Sequence, residues 1–220
     1  MAVSLYAICG GEAQPHPGIG LGGQTLRVIR SAGLGALVSD NPAASRPGLG
    51  EAELWQHERA IEELMAANDV LPVRFGETLE SESAVRAMLE SRREEFEAAL
   101  RRIAGACELS VRAAWREDTP TGAPQSGTSY LAARADVESR AEALARQLQR
   151  RLAPFSRACR LRGVMQPSFT LACAFLVARS MVSGFMAEVG RVDSEVSDTT
   201  LVCTGPWPPY SFVQSDRAHA

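Results

Sequence analysis

The chain has 220 residues, of which 45% are hydrophobic and 22% are charged, which is typical of a soluble globular protein with one large or two small domains. All 23 basic residues are arginine, so the sequence excludes both a catalytic Schiff-base lysine and the lysine of a phosphate-binding P-loop. The formal net charge of −3 argues against a nucleic-acid-binding protein, because such proteins usually carry a basic surface.

The first half of the chain is predicted to have the element order β-β-β-α-β-α. The strands and helices are expected at residues 3–9, 26–30, 35–39, 51–67, 70–75 and 82–104. In the first helix, Leu54, Ile61 and Leu64 repeat at helical spacing, so we expect them to face the core. His57 lies between them, and we interpret it as a core-edge histidine bonded to the backbone rather than as a catalytic base.

The second half is predicted to have the order β-α-β-β-α-β, which is typical of a ferredoxin-like fold. The elements are expected at residues 108–115, 127–152, 158–165, 170–178, 181–189 and 199–203. Two right-handed β-α-β units would share one antiparallel sheet, with the helices on one face. The sequence thus predicts an α+β protein of two domains. The expected boundaries are an N-terminal α+β domain at 1–105, a ferredoxin-like domain with a proline-rich aromatic tail at 106–213, and a flexible tail at 214–220.

The sequence predicts no cofactor, metal or disulfide. Residues 18–23 match GxGxxG, but a strand is expected after them, whereas a dinucleotide-binding loop must begin a helix. The five cysteines are widely spaced and include no CxxC pair, so we expect buried reduced thiols. We find no signal peptide, and Arg179 interrupts the apolar stretch 169–189. We therefore expect a cytoplasmic protein with no membrane span.

The segment 71–76, with the sequence LPVRFG, combines an apolar strand with a proline. Pro72 cannot donate a ladder hydrogen bond, so it marks either an edge strand or the start of a strand. Arg74 alternates with Val73 and Phe75 and should therefore project from the opposite face. Two roles stay open for Arg74: an ion pair with a carboxylate of the first helix, and contact with a partner at the strand edge.

The segment 205–212, with the sequence GPWPPYSF, has three prolines in four positions. These prolines argue against a helix or a central strand and favour polyproline II. Trp207, Tyr210 and Phe212 offer large apolar side chains on a stiff backbone. The segment is therefore expected either to pack back across the cleft between the two domains or to bind a partner.

Together with LYAI at residues 5–8, His57 and GTSYL at residues 127–131, these two segments resemble the gas vesicle accessory proteins of the L/F family (GvpL/GvpF). The matching stretches occur in the expected order along nearly the whole chain. The resemblance implies two α+β domains and a non-enzymatic gas vesicle assembly factor, or minor vesicle component, in the cytoplasm and on the gas vesicle. It also implies that the protein binds the small hydrophobic shell protein GvpA and prevents its aggregation during vesicle nucleation.

The residues expected to contact a partner are Pro72, Val73, Arg74, Phe75, Trp207 and Tyr210. Other gas vesicle accessory proteins are further candidate partners, and nucleation, chaperoning and a structural role stay open. The alternative function is a small enzyme or ligand-binding protein on a ferredoxin-like scaffold, since that fold hosts many activities. An enzyme would require a concave pocket lined by convergent ionisable groups. The sequence offers no pair of nucleophile and base, which favours the assembly factor.

Overall fold

A computed structural model describes residues 1–14, 18–41, 50–115, 127–166 and 169–213, and it contains two compact units. The first unit comprises the residues up to Ala106 together with those from Pro208 onward, and the second comprises Cys107–Trp207. Both units combine helices with antiparallel strand pairs, so the prediction of an α+β protein is confirmed.

In the described part of the chain, the first unit has a five-stranded sheet and three α-helices. The strands are β1 (Val3–Gly10), β2 (Arg27–Ser31), β3 (Leu34–Asp40), β4 (Val70–Pro72) and β5 (Thr78–Leu79), and the helices are α1 (Glu51–Met65), α2 (Glu82–Ser91) and α3 (Arg93–Ile103). The order is β2-β3-β1-β4, and β5 pairs with the first residues of β1. All these pairs are antiparallel, so β1 is the central strand and β4 lies at an edge.

The strands predicted at 26–30 and 35–39 are confirmed as β2 and β3, which form a hairpin with a two-residue loop. Ala32 has a φ of 53° and Gly33 a φ of 79°, so both lie in the left-handed region, as a type I′ turn requires. Ser31 pairs directly with Leu34 across this turn. A non-glycine residue is disfavoured in this conformation, because its Cβ approaches the following carbonyl oxygen.

The helices of the first unit pack through two separate sets of apolar residues. From α1, Ala60, Ile61, Leu64 and Met65 join the cluster formed by Tyr6, Ala7, Cys9, Ala13, Leu21, Leu26, Leu37 and Val70. The buried residues Val85 and Leu89 of α2 and Phe96 and Ile103 of α3 lie outside that cluster, although both helices contact the same sheet. Since successive strand residues face opposite ways, helices cover both faces of the sheet.

Three expectations for the first unit are corrected. The single helix expected at 82–104 is divided into α2 and α3, because Arg92 leaves the helical conformation with φ −112° and ψ 19°. The helix α2 packs on β2 and β3, whereas α3 packs on β4 and β1. Leu54 is 41% exposed, because it lies in the first turn of α1 at the margin of the buried stripe. The strand expected at 70–75 ends at Pro72, and the short strand β5 is an additional element.

The second unit has a four-stranded sheet and two α-helices among the described residues. Its elements are β6 (Ala106–Trp115), α4 (Gly127–Leu152), β7 (Ala158–Gln166), β8 (Phe169–Ala178), α5 (Val182–Glu195) and β9 (Thr199–Trp207). The strand order is β7-β8-β6-β9, with β7 antiparallel to β8 and β6 antiparallel to β9. The predicted order of elements is confirmed, and α4 has the predicted bounds.

The core of the second unit forms between its helices and one face of its sheet. The buried residues of this cluster are Leu109, Val111, Ala113, Leu144, Leu148, Leu152, Leu171, Cys173, Phe175, Val177, Phe185, Val189, Val192 and Leu201. The alternation of Leu109, Val111 and Ala113 along β6 is the period that predicts this strand.

The proline-rich segment departs from the conformation expected for it. Residues up to Trp207 continue β9, and Tyr210–Phe212 form one turn of 3-10 helix. A proline is tolerated in β9 because this strand lies at an edge of the sheet, where a missing N–H donor does not interrupt the ladder. The structure therefore has a strand and a helical turn where the composition favours polyproline II.

Candidate partner-binding surface

His57 of α1 is the centre of an aromatic cluster in the first unit. Its ring stacks on Tyr6 with ring centroids 5.0 Å apart and meets the edge of Phe75 at 5.5 Å. Its Nε2 lies 2.9 Å from the carbonyl oxygen of Val73, and only 1% of the residue is exposed. Burial lowers the pKa of His57, which favours the neutral ring. The predicted role as a core histidine bonded to the backbone is confirmed.

The backbone of the LPVRFG segment is occupied by contacts within the first unit. Pro72 is buried and pairs with Ala7 of β1. The N–H of Val73 donates to the carbonyl oxygen of Tyr6 at 2.8 Å, and its own carbonyl oxygen faces His57. Since both backbone groups of Val73 are used, the segment can offer a partner mainly the side chains that follow.

Arg74 and Phe75 have different environments. Arg74 is exposed, and among the residues that the structure describes its guanidinium forms no ion pair with Glu62 or Glu63. Glu63 instead pairs with Arg59 at 3.0 Å. Phe75 is half-buried and packs against the cluster under α1. Among the described residues the predicted ion pair of Arg74 with the first helix is thus not formed, and its contact with a partner stays a prediction.

Residues 208–213, called here the C-terminal strap, pack on the first unit. The hydroxyl of Tyr210 donates to Glu58 Oε1 at 2.9 Å, and Arg102 donates to the carbonyl oxygen of Phe212 at 3.0 Å. Phe212 is buried. Burial raises the pKa of Glu58, although the bond from Tyr210 opposes that shift. Burial and the neighbouring carboxylate both raise the pKa of Tyr210, so the phenol remains a donor.

The six predicted contact residues do not all belong to one unit. Phe75 and Tyr210 both pack against the same apolar cluster of the first unit. Trp207 is the last residue of β9 in the second unit, where its Nε1 donates to Thr204 Oγ1 at 3.3 Å and 40% of the residue is exposed. The division between units falls inside the proline-rich segment, between Trp207 and Pro208.

One side of α1 combines exposed apolar residues with carboxylates. Leu54 and Trp55 are 41% and 62% exposed, and Glu51, Glu58 and Glu62 lie at i−3, i+4 and i+8 from Leu54. At 100° per residue these five residues occupy about 100° of the helix circumference. We call them the α1 face. Sequence reasoning missed Trp55, whose signal is a large aromatic residue outside the apolar stripe of its helix.

One depression among the described residues bears on the alternative of an enzyme. An open depression is lined by Met1, Arg27, Asp40, Ser81, Glu82 and Ser83. Within it, Arg27 is committed to Asp40 at 2.6 Å and to Glu82 at 3.0 Å, so the ionisable groups neutralise each other.

The described residues contain neither a group of metal ligands nor a helix that could span a membrane. Among these residues no three His, Cys, Asp or Glu side chains are grouped as metal ligands, and all five cysteines are free thiols. In the same part of the chain, no helix is both long enough and apolar enough to cross a bilayer.

Comparison with known proteins gives a consistent result along the whole chain. A family model described as gas vesicle synthesis protein GvpL/GvpF matches residues 2–214. Gas vesicle protein F of Streptomyces sp. (strain CB03234) is 31% identical over 97% of this chain and 100% of its own length. Gas vesicle protein L of the same strain is 29% identical over 90% and 86% of the two chains. The crystal structure of GvpF from Anabaena sp. PCC7120 superposes with a TM-score of 0.83 at 21% sequence identity. The superposition covers 100% of this chain and 98% of that GvpF chain.

Proposed function

Because the chain belongs to the GvpL/GvpF family of gas vesicle synthesis proteins and hence takes part in gas vesicle formation, we propose that it binds the small hydrophobic shell protein GvpA. In this proposal it prevents aggregation of GvpA while a vesicle nucleates, without catalysing a reaction. The observation that carries the proposal is the exposure of Leu54 and Trp55 on α1, beside the motifs that resemble the family.

An exposed apolar surface such as that of Leu54 and Trp55 suits the task of holding GvpA in solution. A subunit that keeps liquid water out of a vesicle must expose apolar area before assembly, and exposed apolar area aggregates. A protein that holds it in solution needs matching apolar side chains within an otherwise polar surface. Trp55 supplies a large one, and aromatic residues of this kind contribute strongly to binding energy because they bury area at little entropic cost.

The partner-contact residues divide into two roles in this proposal. Arg74, Phe75 and Tyr210 would border the contact surface with their side chains. Pro72 and Val73 would hold the loop in place, because Pro72 is buried and the backbone of Val73 is bonded within the unit. Trp207 would be a separate contact on the second unit.

The finer features of fold and location also belong to the proposal. The element order β-α-β-β-α-β and the strand order β7-β8-β6-β9 support a ferredoxin-like second domain. The two compact units support a two-domain organisation. We further propose that the protein acts in the cytoplasm, associates with the gas vesicle, and meets other accessory proteins there.

Co-expression tests the proposal directly. GvpA is produced with the full chain, with a Trp55→Ala variant, and with a Leu161→Ala variant, since Leu161 is 54% exposed on the second unit. We expect the full chain and Leu161→Ala to raise the soluble fraction of GvpA and to co-purify with it, and Trp55→Ala to do so less. If soluble GvpA is the same with and without the full chain, the proposed function is wrong.

A further inference from the structure

We propose that the α1 face binds a basic amphipathic helix of its partner, which under the proposed function is a segment of the shell protein. The face is built from Glu51, Leu54, Trp55, Glu58 and Glu62, whose spacing of i, i+3, i+4, i+7 and i+11 places them on one side of the helix. The inference deepens the proposed function by naming the chemistry of the segment that this face recognises.

The apolar part of the face is positioned to anchor a helix. Leu54 lies at one margin of the face and Trp55 at the other, about 100° apart around α1. Trp55 is held by its indole Nε1, which donates to Glu51 Oε1 at 3.3 Å, so the ring is oriented before a partner arrives. Two apolar anchors on one helical side match a partner helix with apolar residues at i, i+3 and i+4.

The carboxylates of the face determine which charge a partner segment should carry. Glu58 and Glu62 are one helical turn apart; burial and then the Glu62 carboxylate raise the pKa of Glu58, against the opposing bond from Tyr210. Arg59, the basic residue nearest to them in sequence, lies further around the helix and is paired with Glu63 at 3.0 Å. A Lys or Arg of a partner would relieve the repulsion between these carboxylates, whereas a nucleic acid or an anionic membrane would add to it. Charge complementarity therefore selects a basic protein segment.

Two synthetic peptides of 18 residues test the charge requirement on the full-length protein. One places Lys on the polar side and Leu on the apolar side of a helix, and the other has Glu in place of every Lys. We expect the Lys peptide to bind at least about tenfold more tightly, as measured by fluorescence anisotropy, and to bind more weakly at high salt. Equal binding of the two peptides would overturn the inference.

Substitutions locate the binding on the protein. Glu62→Arg and Trp55→Ala are each expected to weaken binding of the Lys peptide about tenfold. Glu80→Arg is the matched control, because it changes the net charge by the same amount at an exposed position outside the α1 face, and it should change binding less than about twofold. Unchanged circular dichroism shows that each variant is folded. If Glu62→Arg and Glu80→Arg have the same effect, the site lies elsewhere.

The outcomes for the inference and for the proposed function can be separated. If the full chain keeps GvpA soluble and Glu62→Arg does so equally well, the docking face is wrong and the function stands. If the full chain does not keep GvpA soluble but discriminates between the two peptides through Glu62, the function is wrong and the face binds a basic helix of another protein.

Discussion

The hydroxyl of Tyr210 is expected to stabilise the docking of the C-terminal strap on the first unit. Tyr210→Phe removes only the hydroxyl that donates to Glu58 at 2.9 Å and leaves the ring in place. A hydrogen bond to a charged group contributes about 1.5–3 kcal/mol. Because Glu58 is only half-buried, we expect the lower part of that range, a loss of about 1.5–2 kcal/mol in the free energy of unfolding.

A double-mutant cycle measures this contribution. Tyr210→Phe, Glu58→Ala and the double variant are unfolded in urea, and the coupling energy is expected to be about 1.5–2 kcal/mol. Glu62→Ala serves as the matched control, because Glu62 lies one turn further along α1 and does not bond Tyr210; its coupling should stay below about 0.5 kcal/mol. Proteolysis should also cleave the strap faster in Tyr210→Phe. If the two single effects simply add, the bond does not hold the strap and the reasoning is refuted.

Three further predictions concern stability. Ala32→Asn should raise the free energy of unfolding by about 1 kcal/mol in urea titrations, because Asn tolerates the left-handed conformation of the turn; a lower value would contradict the turn assignment. His57→Leu should lower it by about 2–3 kcal/mol, because the carbonyl of Val73 loses its partner. Since burial lowers the pKa of His57 below 6.5, the unfolded chain binds more protons, and stability should fall as the pH drops from about 7 to 5, less so in His57→Leu. Phe175→Ala should cost about 3–5 kcal/mol; a calorimetric loss under 1 kcal/mol would argue against close packing there.

Hydrophobic periodicity predicted most of the elements, because their buried faces are regular. The order β-α-β-β-α-β of the second unit and the bounds of α4 followed from alternation in β6 and a helical stripe ending in Leu152. The strands β2 and β3 followed from two apolar runs separated by small residues. Each of these signals is local, so a single sequence contains it.

The features that could not be predicted from the sequence depend on contacts between residues that are far apart along the chain. The break at Arg92 carries no Gly or Pro signal; it arises where α2 and α3 pack on different strands. β4 ends at Pro72, and the carbonyl oxygen of Val73 after it faces the side chain of His57 rather than a neighbouring strand.

The candidate surface was predicted only in part. The proline-containing segments gave Arg74, Phe75 and Tyr210, but the exposure of Trp55 depends on which side of α1 meets the sheet. A helical stripe gives this orientation only approximately, and so Leu54 was placed inside.

The first unit is discontinuous along the chain, since its strap follows all of Cys107–Trp207. The second unit begins and ends on neighbouring strands, with Glu108 paired to Trp207, so in the order of the chain it is an insertion into the first. During synthesis at about 5–20 residues per second, the roughly 100 inserted residues delay the strap by about 5–20 s. We expect the surface that buries Phe212 to stay uncovered for that time. The first unit is therefore completed only after the second unit has been synthesised, and a nascent chain that lacks residues 208–213 would still expose the surface that the strap covers.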